Sequence, residues 1–93
     1  MPKLLIYKDI FIYLIFSVDI HESRRHVHVA KKSVRNFNPA KIWLEPEVEI
    51  SKQGDFKDKE LKEILEIAVK YRNKLMNQIE KFFNNEEIEV IRV

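Results

Sequence analysis

A chain of 93 residues supports one hydrophobic core and so a single domain, 1–93, and its 45% hydrophobic content suffices for that core without staples. The absence of cysteine excludes disulfides, thiolate metal sites and cysteine nucleophiles, and a lone glycine, Gly54, excludes the phosphate loop and the dinucleotide fingerprint. Net charge is +2 but unevenly placed: residues 1–43 carry eight Lys/Arg against three acids and residues 44–93 carry nine against twelve, which suggests a basic face for nucleic acid or an acidic partner, or strand edges protected by cations.

Residues 3–7 and 10–18 are rich in Ile, Phe and Tyr, and Lys8-Asp9 between them signals a tight hairpin without the customary glycine. The longest apolar run, 10–16, is far short of the roughly 20 residues that cross a bilayer. It lies between Asp9 and Asp19 with no small-residue cleavage site after it, so a cytoplasmic chain with no membrane partner is expected. Residues 19–25 are polar and read as a connection. Residues 25–30 alternate strictly, with His26 and His28 on one face of a strand and Val27 and Val29 on the other. A basic turn region follows over 31–39. A strand over 40–44 stops at Glu45-Pro46, and a short one around Val48 and Ile50 ends at Gln53-Gly54-Asp55.

The period then changes. From 57 to 84, Leu61, Ile64, Leu65, Ala68, Tyr71, Leu75, Ile79 and Phe82 recur at three- and four-residue steps, which predicts one long helix with a broad apolar arc that meets more than one surface. Asp55 or Asp58 is expected to cap its start, and Asn84 and Asn85 to stop it. The tail 86–93 reads as a last strand on a sheet edge, in this chain or in a neighbouring copy. The expected fold is α+β: an antiparallel sheet of four to five strands from 1–53, one long helix packed on it, and a short terminal strand.

The histidine strand is the sharpest candidate site. Imidazoles two residues apart on a strand point the same way, roughly 6.5–7 Å apart along it. So placed, His26 and His28 suit a structural pair, a general acid–base pair at a phosphodiester, or two ligands of one transition metal. A metal would need further ligands from Asp19, His21, Glu22 or Glu45, and no cofactor is required by the sequence. Arg72 falls inside the apolar arc of the helix, where a guanidinium must find an acceptor or reach the histidine pocket as a third catalytic group. Trp43 reads as a core anchor. Arg24, Arg25, Lys31, Lys32 and Arg35 are the candidate nucleic-acid contacts. Any hydroxyl nucleophile must be Ser17, Ser23, Ser33, Ser51 or a tyrosine, because threonine is absent.

Taken in order, His26-Val27-His28-Val29, then Ala40-Lys41-Ile42-Trp43-Leu44-Glu45-Pro46, then Gly54, Glu60-Leu61-Lys62-Glu63-Ile64 and Arg72, resemble domain-of-unknown-function family 4160, a family of small prokaryotic proteins. The likeness runs from about residue 4 to 83. Two features depart from it: Arg24-Arg25 stands where the family has a proline pair, and the connection 31–39 is longer than usual and lacks glycine. The resemblance implies a member of a two-gene module similar to toxin–antitoxin pairs, with a small protein partner, and it singles out His26, His28 and Arg72. The expectation is a component that binds or cleaves RNA. The alternatives are a non-catalytic interaction module, self-associating through Ile88, Val90, Ile91 and Val93 or through the helix, and a histidine-based metal site.

Overall fold

The computed structural model describes residues 3–32 and 35–93, together with the backbone but not the side chain of Val18. The alternating segments form β1 (Lys3–Tyr7), β2 (Phe11–Leu14), β3 (His26–Lys31), β4 (Ala40–Trp43) and β5 (Glu49–Lys52). Helices α1 (Asp58–Lys70) and α2 (Arg72–Phe83) follow, and β6 (Ile91–Arg92) ends the chain. All six strands share one sheet, in the order β5-β4-β3-β2-β1-β6. The first five pair antiparallel, whereas β6 runs parallel to β1, opposing Leu5 to Ile91 and Ile6 to Arg92. The sheet is therefore mixed: five antiparallel strands, within the expected four to five, and the expected terminal strand on the β1 edge of this chain, which is only two residues long and runs parallel.

The hairpin of β1 and β2 turns at Lys8 and Asp9, which take φ of 50° and 60° without glycine. Strand β2 is shorter than the apolar run that encodes it. It stops at Leu14, and Ser17–His21 forms a 3-10 helix where the sequence suggests continued strand and then a polar link. That turn carries Asp19 back over the sheet.

The expected single helix is two. Tyr71 separates them with φ −107° and ψ 18°, although the N–H of Tyr71 still reaches Ile67 O (3.0 Å) and that of Leu75 reaches Tyr71 O (2.9 Å). The join is thus a kink with the hydrogen-bond ladder retained. Neither proline nor glycine causes it. The Arg72 guanidinium donates to the carbonyl of Leu44 at 2.6 Å, tying the start of α2 to the end of β4. The helix begins differently too: Lys57 is the N-cap, its N–H paired with the Glu60 carboxylate at 3.0 Å. Asp55, an expected cap, instead accepts the N–H of Asn38 at 2.8 Å. At the other end Asn85 takes φ 59°, and the bonds from Glu86 N to Lys81 O and from Asn85 N to Phe82 O close the helix as the two asparagines suggest.

One sheet face and both helices enclose the core. Val27, Val29, Ala40, Ile42 and Leu44 from the sheet meet Ile64, Ile67, Ala68, Leu75 and Ile79 from the helices, all buried. Tyr13 is fully buried between the layers and its hydroxyl donates to Ile64 O at 2.7 Å, so burial raises the phenol's pKa far above its ordinary value. Alternation then fixes the opposite face. His26 pairs across the ladder with Trp43, and His28 with Lys41. All four point away from the helices, toward the surface covered by the 3-10 turn.

Candidate functional site

Strand geometry places the two imidazoles side by side, with ring centroids 5.1 Å apart and planes nearly perpendicular. The 3-10 turn supplies the third member. The Asp19 carboxylate lies between them, Oδ1 at 3.1 Å from His26 Nε2 and Oδ2 at 3.2 Å from His28 Nε2. Asp19 is itself held by the backbone N–H of Phe16, which donates to Oδ2 at 2.8 Å. Phe16 packs its ring against His28, with centroids 4.5 Å apart. The local fold is therefore a clamp: β3 presents two rings, and five residues of tight helix press one carboxylate onto them.

Burial is graded across the cluster. His26 is 1% exposed, Asp19 7% and His28 16%. The outer side is thus the His28 side. Trp43 meets His26 edge-to-face at 5.4 Å and is covered by the cations of Arg24 and Lys41, at 4.5 and 4.4 Å from its ring centroid.

His26 has one ring nitrogen accounted for. Its Nδ1 lies 3.0 Å from Arg24 O, and a carbonyl only accepts, so Nδ1 carries the proton. In the neutral ring Nε2 is then a lone pair, and it faces a carboxylate oxygen that also offers lone pairs. The contact lacks hydrogen-bond alignment, which leaves Nε2 buried without a partner among the described residues. Two buried acceptors 3.1 Å apart call for a cation between them, either a proton or a metal.

Electrostatics agree with a tightly coupled cluster. Burial pushes the pKa of Asp19 up, but the Phe16 N–H and the two histidines outweigh it and leave the carboxyl below its ordinary value. His28 is pulled below the ordinary imidazole value, chiefly by burial and then by His26 and Lys41, against the opposing pull of Asp19. That direction favours the neutral imidazole, the form that ligates metal.

Asp19, His26 and His28 form a group whose ligand atoms all lie within 4.8 Å of one another. A tetrahedral ion with bonds of about 2.0–2.1 Å sets its ligand atoms roughly 3.3 Å apart, and Asp19 Oδ1 lies 3.1 Å from His26 Nε2 and 3.5 Å from His28 Nε2. The backbone carbonyl on Nδ1 of His26 is the usual outer partner of a metal-bound imidazole. The residues present therefore fit a divalent transition ion.

The other candidates scatter. Arg72 bonds to Leu44 O and to Asn73 Oδ1, the structural use of a guanidinium in an apolar stripe, and makes no hydrogen bond to either histidine. Arg24 pairs with Glu49 and donates to Glu45 O, Arg25 pairs with Glu80 at 2.9 Å, and Lys31 pairs with Glu60. Lys32 lies 3.6 Å from Asp9, and Arg35 is exposed. These cations flank the two ends of β3, and four of them stand beside acids. His21 and Glu22, two further metal candidates, are exposed, and Glu22 lies 3.6 Å from Nδ1 of His26, on the ring edge away from Asp19. Glu45 accepts the backbone N–H of Arg25 at 3.0 Å. Among the serines, Ser17, Ser23 and Ser51 are exposed, and Ser33 lies outside the described residues. Lys41 belongs to the family-like motif around Trp43 but not to the expected site residues, yet it sits opposite His28 and holds both Glu22 oxygens at 3.1 Å. Its signal was available in retrospect, as a lysine two residues from Trp43 on the neighbouring strand.

No helix of the described residues is long and apolar enough to cross a membrane. No curated protein and no solved structure matches the chain. A family model described as a domain of unknown function, DUF4160, matches residues 10–80, a span that includes Asp19, both histidines, Lys41 and Arg72. The chain belongs to that family.

Proposed function

We propose that this protein binds one divalent transition-metal ion through Asp19, His26 and His28. One observation carries the proposal: Nδ1 of His26 donates to Arg24 O, so in the neutral ring the buried Nε2 is a lone pair, and it faces the Asp19 carboxylate at 3.1 Å without an aligned hydrogen bond. Zinc, nickel or cobalt suits two imidazoles and one carboxylate better than calcium or magnesium, which prefer all-oxygen sites. The ion would act as a Lewis acid on whatever oxygen reaches it.

The test is isothermal titration of the untagged chain with zinc and with cobalt. One saturable equivalent is expected, lost in His28→Gln. Absence of saturable binding by the wild-type chain refutes the proposal.

A second reading keeps the cluster metal-free. A neutral His28 held by Asp19 is a proton-transfer pair, and beside His26 it suits acid–base cleavage of RNA in a toxin–antitoxin-type module with a small protein partner. The lowered pKa of His28 and its partial exposure favour this reading. It predicts RNA cleavage that survives a chelator, whereas the metal reading predicts loss. Self-association through the outer edge of β6 or the helices is the non-catalytic alternative, tested by sedimentation of the full chain.

A further inference from the structure

We propose that the ion held by Asp19, His26 and His28 keeps one coordination position open on the His28 side, and that this position takes a phosphate oxygen with Lys41 as the counter-charge. The inference rests on the metal binding proposed above and adds the class of ligand the centre would handle.

Three observations carry it. First, the described residues supply three ligands and no fourth. A transition ion with three protein ligands characteristically completes its shell with water or a substrate oxygen, whereas closed structural sites use four. Glu22 does not fill the vacant place, because it faces Nδ1 of His26, the ring edge opposite Nε2. Second, exposure within the cluster rises toward His28. His26 and Asp19 are sealed at 1% and 7% exposure, while His28 is at 16%. Third, the charge on that side suits an anion. A divalent ion with two neutral imidazoles and one carboxylate retains a net positive charge, and Lys41 stands directly across the ladder from His28.

Lys41 is held rather than free. Its ammonium contacts both Glu22 oxygens at 3.1 Å and lies over the Trp43 ring. Glu22 is 44% exposed, so this carboxylate can swing into water and release the ammonium when a phosphate arrives. Glu22 thus competes with the ligand for Lys41. This predicts opposite effects for two neighbouring substitutions: losing Lys41 weakens phosphate binding, and losing the charge of Glu22 strengthens it.

The experiment follows the visible ligand-field spectrum of the cobalt-loaded full chain. Inorganic phosphate is titrated in one arm and a dinucleoside monophosphate, the diester found in RNA, in the other. A saturable change in the bands with either supports the inference and identifies the source of the phosphate. Lys41→Met should raise the half-saturating concentration by about tenfold, the loss of one charge-assisted bond. Lys41→Arg should stay near wild type, and Glu22→Gln should tighten binding severalfold. Cobalt binding by Lys41→Met within about twofold of wild type verifies that the variant is folded and loaded. Bands that respond to neither anion, with cobalt bound, overturn this inference and leave the metal site standing. Equal phosphate affinity in Lys41→Met and wild type overturns it as well. Failure to bind cobalt at all removes both.

Discussion

Replacing Asp19 by alanine and, separately, by asparagine divides the two jobs of this carboxylate. Alanine strips the acceptor from the Phe16 N–H and empties the space between two ring nitrogens. One buried donor left unpaired costs about 1–3 kcal/mol, and loss of the His28 contact raises the expected destabilisation to about 2–4 kcal/mol. Asparagine preserves the shape. Its carbonyl accepts from Phe16, and its amide can donate to Nε2 of His26, the lone pair that Asp19 leaves unpaired. Asn should therefore cost no more than about 1 kcal/mol without metal. With metal the order reverses in interest, because the amide lacks the negative charge that completes the ligand set. Wild type in zinc at a hundred times its dissociation constant gains about 2.7 kcal/mol, which for a chain of this size raises the melting temperature by roughly 10–20 °C. Asp19→Asn should lose nearly all of that rise. Thermal and urea melts followed by circular dichroism, with and without zinc, read both quantities. A zinc-dependent rise that persists in Asp19→Asn, or an Asp19→Ala chain as stable as wild type, refutes the reasoning.

Gly54→Ala should destabilise the fold by about 2–4 kcal/mol in urea melts, because the residue sits at φ +61° and a Cβ would lie 2.4 Å from Asn38 O, backbone that cannot swing aside. Arg72→Met should cost about 1 kcal/mol through loss of the bond to Leu44 O, and zinc affinity measured by calorimetry should stay at the wild-type value. A large fall in affinity would instead place Arg72 at the centre. Glu60→Gln tests the ion pair with Lys31, which with the Lys57 N–H holds the Glu60 carboxyl below its ordinary value. A depressed carboxyl pKa contributes stability above the unfolded value of about 4.3, so the variant should be less stable by roughly 0.5 kcal/mol at pH 7 and match wild type once pH falls below the folded pKa.

Much of this arrangement is legible in the chain. Strict alternation over 26–30 puts His26 and His28 on one face, and the fold turns that face away from the helices. The ordered motifs around Trp43 and Glu60 point to the family that the comparison then shows. Asp19 stands among the metal candidates by proximity alone. Its selection over His21 and Glu22 depends on the 3-10 turn, whose residues Ser17–His21 show no alternation or helical period that would announce it. The kink at Tyr71 is invisible for a related reason. Apolar spacing continues unbroken through it, and the bond beside it, from Arg72 to Leu44 O 28 residues earlier, is a long-range contact that no local pattern announces. The cations behave likewise: composition counts them, but only the fold reveals that Arg24, Arg25 and Lys31 already have acidic partners.

The chain has a single tryptophan, and the fold puts it at the edge of the imidazole that an incoming ion would touch. Trp43 is half-buried, held between two cations, with its ring centroid 5.4 Å from that of His26. The protein thereby carries its own optical reporter, an indole whose emission has no second tryptophan to mask it. A paramagnetic ion such as copper or cobalt at Nε2 would quench that emission, while closed-shell zinc would leave it bright. Site occupancy, ion exchange and the release of Lys41 from the indole face can thus be read from one fluorophore, in the unlabelled wild-type chain.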